Sequence, residues 1–87
     1  MINIKILSYK SPQRYAVRQT LLAARNELRK TFPDLELSIT EVKKLEEMEK
    51  YTYVVPYPSL VINEKLVCVG RFPKKDEVIG WLQQVVE

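Results

Sequence analysis

The sequence contains one cysteine, Cys68, and no histidine among its 87 residues. A single thiol cannot form an intramolecular disulfide, and one chain with one Cys and no His cannot supply the usual ligands of a zinc site. Catalysis that needs a histidine base, as in a Ser-His-Asp triad, is excluded for the same reason. We therefore expect no metal site and no cofactor.

Long apolar runs are also absent. No stretch approaches the roughly 20 residues that a membrane-spanning helix requires. The N-terminal residues, MINIKILSYK, have polar residues throughout instead of the apolar block of a signal peptide. We expect a cytoplasmic protein without a membrane partner. Hydrophobic residues at 46% and charged residues at 29% are typical of a globular protein, and the length suits a single domain over residues 1–87.

The net charge of +3 is distributed unevenly, because residues 1–33 contain seven Lys or Arg and one acid. Four arginines recur at helical spacing in this part: Arg14, Arg18, Arg25 and Arg29. They could attract an anionic partner such as a nucleic acid. Tyr15 is the one aromatic residue among them, however, which is too few for base stacking. Nucleic acid is therefore the least favoured partner, and ordinary solvated helix faces explain the charges better.

The periodicity of apolar residues predicts seven elements. Alternating Ile2, Ile4 and Ile6 indicate a strand, and a helix then runs from Ser11–Pro12 to about residue 30, with Ser11 as its cap. The buried stripe of this helix is predicted to be Val17, Leu21, Ala24 and Leu28. A strand at 35–39 and a helix at 41–51 follow, the latter with Val42, Leu45 and Met48 on one side and a Glu46–Lys50 pair.

Two short strands, SLVI and KLVCV, come next and are joined by Asn63–Glu64 in a two-residue hairpin. Glu64 is unfavourable there, because such turns usually need glycine at a positive φ. A last helix begins after Pro73, with a stripe of Val78, Leu82 and Val85 bordered by Ile79 and Trp81. The order β-α-β-α-β-β-α predicts an α/β fold in which the first two strands are parallel and the hairpin completes a four-stranded mixed sheet.

This order is that of the thioredoxin fold, and the C-terminal half resembles a particular group. The segment VVPYPSLVINEKLVCVGRFPKKDEVIGWL is similar to the small thioredoxin-like, redox-active-disulfide or glutaredoxin-like proteins of bacteria and archaea. Their pattern of Thr-Pro, a small residue, an apolar strand, Val-Gly-Arg and a Pro-Ser-Lys helix start is matched from Tyr57–Pro58 through Val69-Gly70-Arg71 to Pro73. The resemblance implies that Pro58 is the cis-proline of the fold and that the backbone of Tyr57 pairs with an extended peptide.

The departure from the family pattern lies at the start of the first helix. Where such proteins have Cys-x-x-Cys, this sequence has Ser11-Pro12-Gln13-Arg14. Thiol–disulfide exchange requires a thiolate, which a serine hydroxyl cannot replace. Cys68 lies in the apolar run LVCV, so a buried structural role is its better interpretation. We therefore expect no dithiol–disulfide oxidoreductase activity and no catalytic residues.

The altered helix start is nevertheless a candidate binding site, since helix N-termini have unpaired amides and a partial positive charge. The residues expected to line a shallow pocket are Tyr9, Lys10, Ser11, Gln13, Arg14, Tyr57 and Pro58. The first hypothesis is a non-catalytic module that binds a peptide or protein, or a small anion. The second is an enzyme that uses Ser11 beside the sulfur of a glutathione-like ligand, although we expect no counterpart in this chain of the additional helical domain of glutathione transferases. The sequence leaves homodimerisation open.

Overall fold

The computed structural model describes residues 1–52 and 58–86, and its elements follow the predicted order. The strands are β1 (Ile2–Leu7), β2 (Leu37–Val42), β3 (Ser59–Ile62) and β4 (Lys65–Cys68), and the helices are α1 (Ser11–Leu28), α2 (Leu45–Met48) and α3 (Lys75–Val86). The predicted α/β architecture, a mixed four-stranded sheet with helices packed on it, is confirmed.

The sheet has the strand order β2-β1-β3-β4. β1 is parallel to β2 and antiparallel to β3, and β4 is antiparallel to β3. At its last residue, Leu7, β1 pairs with Val42 on one side and with Ser59 on the other. The ends of β1, β2 and β4 and the beginning of β3 therefore meet at one edge. We call this edge the carboxyl end of the sheet.

One face of the sheet carries the larger core, which α1 and α3 cover. The four residues predicted as the stripe of α1, Val17, Leu21, Ala24 and Leu28, are all buried there. They pack with β1 and β3 residues such as Ile4 and Leu60 and with Val78 and Leu82 of α3. The predicted stripe of α3 is right for these two residues and wrong for Val85, which is 41% exposed.

The other face has a small core made of Leu7, Val42, Met48 and Val61. The prediction of a helix over 41–51 is wrong in extent, since β2 runs to Val42 and α2 has only four residues. The β-branched residues Thr40 and Val42 favour a strand, and pairing with β1 continues to the end of β1. The Glu46–Lys50 pair is not among the ion pairs of the described residues.

Candidate functional site

The start of α1 is held by a buried serine that precedes it. Ser11 is the first helical residue and is exposed, while Lys10 occupies the N-cap position without a capping bond from its side chain. The prediction that Ser11 caps the helix is therefore wrong. The Ser8 hydroxyl accepts a hydrogen bond from the Lys10 amide at 3.1 Å and donates one to Gln13 Oε1 at 2.6 Å. Ser8 thus fixes the turn between β1 and α1.

Sequence reasoning missed Ser8. The signal was a hydroxyl residue directly after an apolar strand and two residues before a helix, because Ser side chains bond readily to backbone groups two residues away. Gln13 is half-buried, and its side chain is bonded to Ser8 in the turn before α1. It is therefore only partly accessible to a ligand.

Arg14, one of the predicted site residues, is turned into the protein. It is only 9% exposed, its Nε donates to Glu41 Oε1 at 2.9 Å, and its Nη1 donates to the Ser8 carbonyl at 3.0 Å. Arg18 Nη2 donates to Glu41 Oε2 at 2.8 Å. The hydrogen bonds from Arg18 and Arg14 lower the pKa of Glu41 below its ordinary value. The two arginines therefore tie α1 to β2 through one carboxylate.

The arginine stripe is consequently not a free basic surface. Besides Arg14 and Arg18, Arg29 donates from Nε to the Leu35 carbonyl at 2.8 Å. Arg25 is half-buried and bonds to the neighbouring Asn26 side chain. Phosphate binding by all four guanidinium groups would require breaking the ion pairs of Arg14 and Arg18 with Glu41.

Tyr9 and Lys10 are exposed at the carboxyl end of the sheet, as a binding surface requires. Tyr9 is 50% exposed, and the Lys10 ammonium lies 6.0 Å from the centre of its ring. Pro58 is buried, and its carbonyl accepts the Arg71 amide at 3.1 Å. Tyr57, and with it the predicted cis bond between Tyr57 and Pro58, lies outside the described residues.

The turn after β4 adds residues to this end that the sequence did not reveal as site residues. The Gly70 amide donates to the Ser59 hydroxyl at 3.2 Å, and Gly70 has a φ of 68°, which favours glycine. Val69, before Gly70, and Phe72, after it, are 42% and 47% exposed. The feature of the sequence that could have revealed them is a pair of large apolar residues flanking a glycine turn. With Tyr9 they provide three exposed apolar side chains beside the predicted site.

Arg71 lies between Val69 and Phe72 in the chain and forms an ion pair with Glu77. Its two terminal nitrogens donate to the two carboxylate oxygens of Glu77 at 2.7 and 2.6 Å. Together with a bond from the Lys74 amide, this contact lowers the pKa of Glu77 to about 2. The pair orders the turn that carries Phe72.

Cys68 is buried, with 2% of its surface exposed, and belongs to the larger core. Its Sγ lies 3.4 Å from the Arg71 carbonyl, to which it donates. Burial raises the pKa of this thiol, against an opposing effect of Arg71. The interpretation of Cys68 as a structural residue agrees with this environment.

Within residues 1–52 and 58–86, no group of three or more acidic or Cys side chains is placed to hold a metal ion. No helix in that part of the chain is both long enough and apolar enough to cross a bilayer.

The comparisons with known proteins agree with the fold. The family model described as "Thioredoxin domain" matches residues 2–83. None of the curated proteins matches the sequence.

Proposed function

The chain belongs to the thioredoxin-domain family, and from this premise we propose that it is a non-catalytic member. It binds an extended peptide or protein segment at the carboxyl end of the sheet, without dithiol redox chemistry. The proposed binding surface consists of Tyr9, Lys10, Ser11 and Gln13 at the start of α1, with Pro58 and the turn after β4. The sequence prediction adds Tyr57, which lies outside the described residues. Arg14 supports this surface from beneath through Glu41 and Ser8.

We propose the absence of redox chemistry because of the number and the position of the sulfur atoms. Exchange between thiols and disulfides needs an accessible thiolate. The positions that would carry it hold the Ser11 hydroxyl and the Arg14 guanidinium, and the one thiol is buried with a raised pKa. An intermolecular reaction at Cys68 would first require the core to open.

The observation that carries the binding proposal is the exposure of Tyr9, Val69 and Phe72 around one end of the sheet. The three residues belong to segments that follow β1 and β4, which end at the same end of the sheet, and from this we infer that they form one apolar surface of the kind typical of interaction sites. Aromatic residues are well suited to such a role, because they bury a large area and lose little side-chain entropy.

The proposal is tested by titrating ¹⁵N-labelled protein with reduced and alkylated insulin B chain as an unfolded peptide. Shifts of the backbone amides should concentrate at residues 9–11, 13, 59 and 69–72. Phe72→Ala should weaken binding at least about fivefold, as expected for loss of an aromatic contact. Tyr15→Ala is the matched control, since Tyr15 is 65% exposed on α1 but lies outside the proposed surface. Shifts scattered over the whole protein would contradict the proposal.

A reductase assay tests the redox half of the proposal. With dithiothreitol as reductant, the protein should not accelerate insulin reduction above a blank. Clear turnover would show that an accessible thiol is present after all. A glutathione titration tests the remaining alternative: shifts confined to residues 10–14 would favour an enzyme that places Ser11 beside a ligand sulfur.

A further inference from the structure

A groove of about 540 Å³ lies between the edge strand β4 and the C-terminal half of α3. Its walls are formed mainly by Lys65, Leu66, Val67, Trp81, Gln84 and Val85. The groove shares no residue with the surface proposed for peptide binding. Its volume is within the roughly 300–1,000 Å³ that small-molecule sites occupy.

The edge strand beside the groove is poorly suited to pairing with another strand. β4 has four residues, begins with a lysine, and has a register shift opposite the Leu60–Val61 step. Short length, lysine and bulges are features that protect an edge against strand addition. The groove is therefore better suited to a ligand that packs on side chains than to one that pairs with the backbone.

The groove has apolar walls, formed by residues such as Trp81 and Val85, and one cationic residue, Lys65. Trp81 and Val67 are half-buried against the larger core, and Val85 is exposed. Lys65 is exposed and forms no ion pair within residues 1–52 and 58–86. The carboxylate of its neighbour Glu64 forms its ion pair with Lys5 instead and also accepts a hydrogen bond from Tyr51.

From this arrangement we propose that the groove binds an amphipathic carboxylate. The apolar chain or ring of the ligand lies against Trp81 and Val85, and its carboxylate accepts hydrogen bonds from the Lys65 ammonium. The charge of Lys65 favours an anion over a cation of the same length. The apolar contact supplies most of the affinity, because an exposed ion pair contributes little.

Trp81 is the only tryptophan of the chain, so its fluorescence reports directly on the groove. Octanoate, octanol and octylammonium have the same apolar chain and differ in head-group charge. Titration with octanoate should give a saturable change in Trp81 emission. Octanol should bind more weakly and octylammonium most weakly. Lys65→Gln should reduce octanoate affinity roughly threefold to fivefold and leave octanol affinity unchanged.

Two further variants separate the groove from general effects. Lys30→Gln removes another exposed lysine, outside the groove, and should leave all three affinities unchanged. Val85→Ser should weaken octanoate and octanol alike, since it removes apolar wall. Equal affinity for octanoate and octylammonium, unchanged octanoate affinity in Lys65→Gln, or the absence of a saturable signal would each overturn the proposal. An unchanged ¹H–¹⁵N spectrum outside the groove verifies that each variant is folded.

Discussion

Ser11 lies at a position that would activate a thiol if one were present. It is the first residue of an 18-residue helix that has no acidic residue in its first turn, and it is exposed. A helix N-terminus stabilises negative charge, which lowers the pKa of a cysteine placed there. The loss of redox chemistry that we propose is therefore attributed to the missing sulfur atoms and not to an unsuitable backbone.

We predict that Ser11→Cys creates a thiol with a pKa roughly one unit or more below the usual value of about 8.5. The rate of iodoacetamide alkylation as a function of pH, with mass spectrometry to separate this site from Cys68, measures that pKa. Ala23→Cys is the control, because Ala23 is exposed on the same helix but far from its N-terminus. Equal pKa values for the two engineered thiols would contradict the prediction.

Glu41 is the residue on which the position of Arg14 depends. In Glu41→Gln, one amide oxygen can still accept from one arginine, but the amide NH₂ group faces the other donor. The mostly buried Arg14 guanidinium then lacks a counter-charge. We expect a loss of about 2 kcal/mol in the free energy of unfolding, measured by urea denaturation near neutral pH. Glu49→Gln, at an exposed residue without an ion pair among the described residues, should change it by less than about 0.5 kcal/mol.

The stability contributed by Glu41 should also depend on pH in a defined direction. Its pKa is lowered in the folded protein, so its contribution is fully present above the unfolded pKa of about 4.3 and is lost as the pH falls through the folded value. The difference in unfolding free energy between the wild type and Glu41→Gln should therefore be constant from about pH 7 to about pH 5 and decrease in more acidic solution. A difference that grows on acidification would contradict this assignment.

Among the elements, the β3–β4 hairpin shows how a locally unfavourable residue is retained. Asn63 and Glu64 both have positive φ, 48° and 68°. A side chain in this region costs about 1 kcal/mol, which glycine avoids. Glu64 compensates through its carboxylate, which accepts from the Lys5 ammonium and the Tyr51 hydroxyl at 2.8 Å each. These bonds join the hairpin to β1 and to the segment after α2.

We predict that Glu64→Gly raises the urea midpoint in one background and not in the other. In Lys5→Met/Tyr51→Phe, where the partners are missing, the glycine should raise the urea midpoint because only the backbone strain is relieved. In the wild type the midpoint should change little or fall, since the bonds are lost at the same time. The double-mutant cycle compares the four midpoints at a constant m-value. If Glu64→Gly lowers the urea midpoint of Lys5→Met/Tyr51→Phe, the positive φ of residue 64 is not strained.

The elements also show which features the sequence could predict. The stripe of α1 repeats every three or four residues over a long helix, so periodicity alone located it. The parallel pairing of the first two strands and the antiparallel hairpin followed from the sequence of elements. α2 was overestimated because Val42, Leu45 and Met48 are spaced as on a helix, although Val42 belongs to β2. At the site, the Arg14–Glu41–Arg18 contact could not be predicted, because it joins residues 27 and 23 positions apart, which no local pattern records. The role of Ser8 is local, since its hydroxyl bonds to Lys10 and Gln13, and the sequence offered a signal for it that was missed.

At the scale of the whole molecule, stability depends on a small core. Among the described residues, the larger core has 13 buried members, and it holds the two helices that cover the main face. Leu21 of α1 and Leu82 of α3 have no exposed surface and belong to the same cluster. The surface proposed for binding is attached to this core through α1.

Leu21→Ala should therefore reduce the free energy of unfolding by about 3 kcal/mol, the usual cost of a buried leucine and the cavity that it leaves. In a domain of this size such a loss lowers the melting temperature by roughly 12–24 °C, which calorimetry or circular dichroism measures. Leu45→Ala is the control, because Leu45 is 48% exposed, and it should cost less than about 1 kcal/mol. Similar losses for the two variants would contradict the prediction, because Leu45 belongs to neither of the two cores. Since α2 has only four residues and covers little of its face, we expect a clear difference between them.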